Sequence, residues 1–122
     1  MSQKVFQTTI VKLGGSALDF LDEKMIIFFN KKVQSDLAEY SVLLDDADSS
    51  CDVQVGDSLF LGKKEYRITA IGDVALTNLN NLGHAVVKFD GKRVSDLPGN
   101  IHVEAKEIVK IAPLMQVWFE KK

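Results

Sequence analysis

Apolar residues along this chain come in short bursts, each closed by glycine, proline or acidic punctuation, and none keeps a helical period for long. Val5–Leu13 (VFQTTIVKL) is rich in β-branched residues and predicts a first strand, ended by Gly14-Gly15. Ser16–Glu23 predicts a short helical turn, with Ser16 as N-cap and Asp19 three residues on. Met25–Phe29 (MIIFF) is a continuous apolar run suited to a buried strand. Ser35–Tyr40 reads as one helical turn or a strand, and Ser41–Leu44 is apolar before an acidic loop, Asp45–Asp52. Gly56-Asp57 and Gly62-Lys63-Lys64 bracket Ser58–Leu61 and lead into Glu65–Ile71, a hairpin pattern. Val74–Leu82 reads as a short helix or a wandering connection. After it, AVVKF and Asn100–Val103 are split by Asp90-Gly91 and Pro98-Gly99, which predicts paired strands, and Leu114–Phe119 predicts a closing one. Many short strands without a long amphipathic helix predict an all-β fold, a small barrel or sandwich with one or two helical turns.

Composition narrows the class. With 122 residues, 46% hydrophobic and 26% charged, the chain is expected to be one globular domain spanning residues 1–122, not a disordered tail. A net charge of -2 with interspersed signs gives no basic stripe for nucleic acid. The longest apolar run falls far short of a bilayer span, and the N-terminus lacks the layout of a signal peptide. Cys51 is the single cysteine, which fits a reducing compartment, so a cytoplasmic location is expected.

Candidate chemistry is sparse. Both histidines, His84 and His102, fall on strand-like runs beside glycine-marked turns. Imidazole is the one side chain that is a good nucleophile and proton carrier near neutral pH, so these two are the candidate catalytic residues. Set against that, a strand histidine is often just satisfied by backbone or water. Cys51 lies among Asp48 and Asp52, which disfavour a thiolate. Asp46, Asp48 and Ser50 match positions 1, 3 and 5 of a calcium loop, but position 6 is Cys51, position 12 is Asp57 and flanking helices are missing, so a solvated loop is expected. One cysteine and two separated histidines cannot make a zinc site, and no metal or cofactor is expected. Arg67, Arg93, Lys88 and Lys92 could line an anion or partner surface, or simply be solubility charges. No Ser-His-Asp order, phosphate loop or paired carboxylate site marks an independent enzyme.

Several segments in order resemble the glucitol/sorbitol-specific enzyme IIA component of the bacterial phosphotransferase system. They are Gln7-Thr8-Thr9-Ile10, Asp36–Tyr40, Leu61-Gly62 with Tyr66–Gly72, Asn78-Leu79, Leu82-Gly83-His84 with Phe89-Asp90-Gly91, and Pro98–Val103. They cover roughly residues 5 to 120. The resemblance implies a barrel-like all-β phosphocarrier that takes phosphoryl from the histidine phosphocarrier HPr onto a histidine. It then passes the group to enzyme IIB, while the membrane IIC component imports the polyol. It also implies a homodimer with strands exchanged between subunits, touching a membrane only through that permease.

The acceptor histidine that the resemblance implies lies a few residues after the Glu-Tyr pair. Counting from Glu39-Tyr40 puts Leu44 there, with Leu43 or Asp45 at a one-residue slip, followed by Asp45, Asp46 and Asp48. A phosphoryl group carries about -1.5 to -2 charge, so those carboxylates are expected to repel it. Two functional expectations follow: a sugar-alcohol IIA whose ordinary transfer is impaired, or a non-phosphorylatable binding or regulatory module on the same scaffold. Under the first, the functional reading puts His84 or His102 beside the phosphoryl site, as a charge-stabilising donor or as a substitute acceptor, against the plainer reading of a strand histidine satisfied by backbone or water.

Overall fold

A computed structural model describes residues 2–122. Eight strands close into a barrel: β1 (Gln3–Leu13), β2 (Met25–Asn30), β3 (Val42–Leu44), β4 (Ser58–Leu61), β5 (Lys64–Ile71), β6 (Ala85–Lys88), β7 (Asn100–Val103) and β8 (Gln116–Lys121). Round the wall they run β1-β3-β2-β6-β7-β5-β4-β8. One α-helix, α1 (Ala75–Leu82), and two 3-10 turns, Ala17–Glu23 and Asp36–Tyr40, complete it. The all-β reading of the sequence therefore stands. The short elements follow from the punctuation, since Gly62 and Gly91 take positive φ at the turns where the bursts end.

Two neighbour pairs are parallel: β2 with β3, joined by the connection 31–41, and β6 with β7, joined by 89–99. The Asp90-Gly91 and Pro98-Gly99 signals thus mark a crossover and not a tight hairpin, because parallel strands need a longer return path. Asp36–Tyr40 is a 3-10 turn capped by Ser35, whose side chain accepts from the Leu37 N–H. Ser16 does not cap its own turn; its hydroxyl donates to Glu39 instead. The closing strand begins at Gln116, after Leu114 has turned the chain at φ 75°.

β1 serves two partners. Its first half pairs with β8, its second with β3, and the register slips between Val5 and Thr8. Phe6 sits in that slip at φ 51°, so that Val5 and Phe6 in succession are both buried, and the Phe6 ring meets Phe119 edge-on at 6.1 Å. A bulge is the one way that neighbours on a strand can face the same side. The interior is filled by Ile10, Leu59, Leu61, Tyr66, Ile68, Phe89, Ile101 and Val103, all essentially inaccessible. Each such side chain contributes roughly 1.5–3 kcal/mol of transfer free energy, which is what closes the barrel.

Candidate functional site

The N–H groups freed by the β1 bulge do not stay free. The Phe6 N–H donates to Ser49 Oγ at 3.0 Å and the Gln7 N–H to Asp48 Oδ1 at 2.8 Å. The acidic loop is pinned further by Thr8, whose hydroxyl donates to the Asp45 carbonyl at 2.6 Å. Asn80 on α1 grips Cys51 from both sides, accepting from its N–H at 2.7 Å and donating to its carbonyl at 2.9 Å. The loop is mostly exposed, as the sequence predicts, and is also held as a strap along β1, because an otherwise unpaired strand bulge supplies it with partners. Cys51 is buried and desolvation pushes its thiol up to about 12, so it is an inert packing residue at neutral pH.

Between this strap, the end of β2 and the C-terminal turn of α1 lies a cleft of about 750 Å3. Its wall includes Phe6, Phe29, Leu44 and Leu79, and its rim Asn30, Lys32, Asp45, Asp46, Ser49, Ser50 and Asn81. Leu44, at the end of β3 and level with Asn30 of β2, is 2% exposed and belongs to the core. Position 44 is thus where strand becomes cleft wall, and it carries a hydrocarbon.

The carboxylates are not a bare cluster. Asp45 pairs with Lys31 at 2.7 Å, and this hydrogen bond holds its carboxyl below the usual range. Asp46 accepts from the Asn30 amide at 2.9 Å and from Lys32 at 3.3 Å, which lowers it likewise. Of Asp45, Asp46 and Asp48, the first two thus have lysine partners that the sequence pattern did not connect to them. Asp48 turns to the β1 backbone, so Asp46 and Asp48 do not converge. Among the described residues no group of three or more His, Cys, Asp or Glu side chains could hold a metal ion.

The two histidines part company. His102 on β7 is level with Lys88 of β6, which is level with Met25, the far end of β2 from Asn30 and Leu44. Three strand spacings and five residues separate it from Leu44, roughly 14 Å round the wall and roughly 16 Å along it. It is wholly buried, with Nδ1 2.9 Å from Asp90 and Nε2 3.1 Å from Asp96. Asp96 is also bound by Lys88 at 2.6 Å and by the Asn100 amide at 2.7 Å, and these hold its carboxyl far below the usual range. Burial works to raise Asp90, but hydrogen bonds from His102 and the Lys92 N–H outweigh it and keep the carboxyl low. This closed network clasps the crossover 89–99 to the barrel. It offers no accessible nitrogen to a phosphoryl group.

His84 is different. It stands one residue before the Phe28–Ala85 register pair and therefore opposite Phe29, within two strand spacings, roughly 10 Å, of Leu44. Its ring stacks on Phe29 at 4.5 Å, and Nδ1 lies 3.1 Å from the Phe28 carbonyl. Gly83 makes this possible. It ends α1 at φ 64°, and a Cβ there would stand 2.9 Å from the backbone nitrogen of Asn30, so only glycine lets the helix end this close to β2. Of the surveyed cations, Lys88 and Lys92 serve the His102 clasp. Arg67 donates its backbone N–H to Glu104, and nothing in the structure gives Arg93 a role.

The chain is similar to known proteins in sequence and in fold. The family model of the PTS system glucitol/sorbitol-specific IIA component matches residues 5–117. The glucitol/sorbitol-specific EIIA component of Escherichia coli (strain K12) is 36% identical over 116 residues, covering 95% of this chain and 94% of the relative. That of Shigella flexneri is equally similar over the same shares. The crystal structure of a PTS system IIA component from Enterococcus faecalis V583 superposes with a TM-score of 0.80 at 25% identity, covering 91% of this chain and 96% of that one. The chain belongs to the glucitol/sorbitol-specific IIA family of the phosphotransferase system.

Proposed function

We propose that this chain takes the enzyme IIA place in a cytoplasmic glucitol or sorbitol phosphotransferase system, meeting HPr on one side and enzyme IIB on the other. It reaches the membrane only through the IIC permease, and its working form is a homodimer, which the family resemblance supports. The observation that carries the reading is the match to the family over residues 5–117, with Leu44 in the cleft wall at the position that the resemblance implies for the acceptor. A leucine side chain has no lone pair, so transfer through that position is lost. Titration of the labelled protein with HPr and with enzyme IIB tests the placement. Residue-specific shifts with both partners support it, and silence with both overturns it.

A second reading, a non-phosphorylatable binding or regulatory module, draws on the same Leu44 and on the Lys31–Asp45 and Lys32–Asp46 pairs that occupy the cleft rim. Incubation with phosphoenolpyruvate, enzyme I and HPr, followed by intact-mass analysis, separates the two. A protein that binds HPr yet gains no phosphoryl group is the module.

A further inference from the structure

We infer that His84 Nε2 is the phosphoryl acceptor of this chain, loaded from a donor phosphohistidine; this rests on the IIA reading above. The Phe28 carbonyl faces the His84 ring. A carbonyl oxygen only accepts, so the Nδ1 that lies 3.1 Å from it carries the proton, and in the neutral ring Nε2 is left with its lone pair. Tautomer and orientation are both fixed, because the ring is stacked on Phe29 at 4.5 Å and 27°. Every buried side-chain nitrogen and oxygen among the described residues has a hydrogen-bond partner, and Nε2 has none, so Nε2 reaches solvent. A histidine held by one nitrogen with the other open is an arrangement suited to nucleophilic work.

Its setting supports the same role. On the outer wall beside it stand the half-buried Ile27, Phe29 and Val86, and the exposed Leu82 lies just before Gly83. A partner covering this apolar collar would exclude water from a hydrolysable N–P bond. His102, by contrast, has both nitrogens spent on carboxylates inside the wall.

The step balances without a metal or a redox partner. The Nε2 lone pair attacks phosphorus, and the donor's N–P bond breaks with its electrons returning to the donor nitrogen. With the donor ring's other nitrogen protonated, it leaves as neutral imidazole. His84 then carries phosphoryl on Nε2 and keeps its Nδ1 proton on the Phe28 carbonyl.

The test uses the whole chain with phosphoenolpyruvate, enzyme I and HPr, read by intact mass and by peptide mapping at alkaline pH. The expected result is a gain of one acid-labile phosphoryl group mapped to His84 and lost completely in His84→Asn. Asparagine keeps an N–H donor where Nδ1 stood but has no nucleophile, and far-ultraviolet circular dichroism checks that the variant folds. Long-range nitrogen–proton spectra of the unmodified ring should show the proton on Nδ1. No label on the wild type, a label elsewhere, or a proton on Nε2 overturns the proposal. HPr titration run beside it keeps the two failures apart: no binding sinks the IIA placement itself, whereas binding without label sinks His84 as acceptor and leaves the binding-module reading.

Discussion

Replacing Leu44 by histidine is the sharpest perturbation of this molecule, because it puts the acceptor type that the family resemblance implies into the cleft wall at the cost of core packing. Leu44 is 2% exposed and belongs to the core cluster, so the wild type gains roughly 1.5–3 kcal/mol from its burial. An imidazole keeps part of that contact but brings two ring nitrogens, and leaving one without a partner costs roughly 1–3 kcal/mol. The sum expected for Leu44→His is a loss of about 2–4 kcal/mol, since the ring at the cleft mouth recovers some hydration. Against a domain stability of roughly 5–15 kcal/mol the variant still folds, with a melting temperature lower by on the order of 10 °C. Urea titration with an unchanged slope gives the free energy, and a scan gives the temperature. In the Leu44→His, His84→Asn double variant, phosphoryl transfer from HPr to position 44 would show that the docking geometry survives. A stability loss under about 0.5 kcal/mol would refute the placement of Leu44 in the core, since surface substitutions cost no more than that.

Three further outcomes are expected. Asn80→Ala removes both hydrogen bonds that hold Cys51. It should cost about 2–3 kcal/mol and make the thiol, inert in the wild type, react with a disulfide reagent at pH 8; an unchanged thiol rate would contradict the strap. Gly83→Ala places a Cβ 2.9 Å from Asn30 at φ 64°, so it should destabilise by at least about 1 kcal/mol and shift the His84 ring resonances, whereas a neutral change would remove the reason for glycine there. Part of the acid limb should come from the His102 clasp, alongside the lysine-paired carboxylates such as Asp45 and Asp46. Asp90 and Asp96 have folded values below their unfolded ones, so between the two the unfolded chain binds more protons and stability rises with pH. Their contribution is complete above about pH 4 and is lost as pH falls through the lowered values; Asp96→Asn should flatten that slope in urea midpoints measured against pH.

How much of this could be read from the chain differs by element. Ser58–Leu61 and Lys64–Ile71 are legible because a hairpin is a local object, its register set by the Gly62 turn between them. The same holds for the strand character of Met25–Asn30 and for the helical turn capped by Ser35. The parallel pairs β2–β3 and β6–β7 are not legible, since nothing local distinguishes a crossover from a longer hairpin loop. Nor are the lysine partners of Asp45 and Asp46, which come from the turn after β2, or the tie between the acidic strap and the β1 bulge. For the candidate site, the chain alone shows that position 44 is a leucine and that two histidines remain, because residue identity and spacing are local facts. It takes the folded barrel to lock one histidine between carboxylates at the far end of the wall and to leave the other near the cleft with a nitrogen open. Strand order and register set which residues meet, and those depend on pairing between segments distant in sequence.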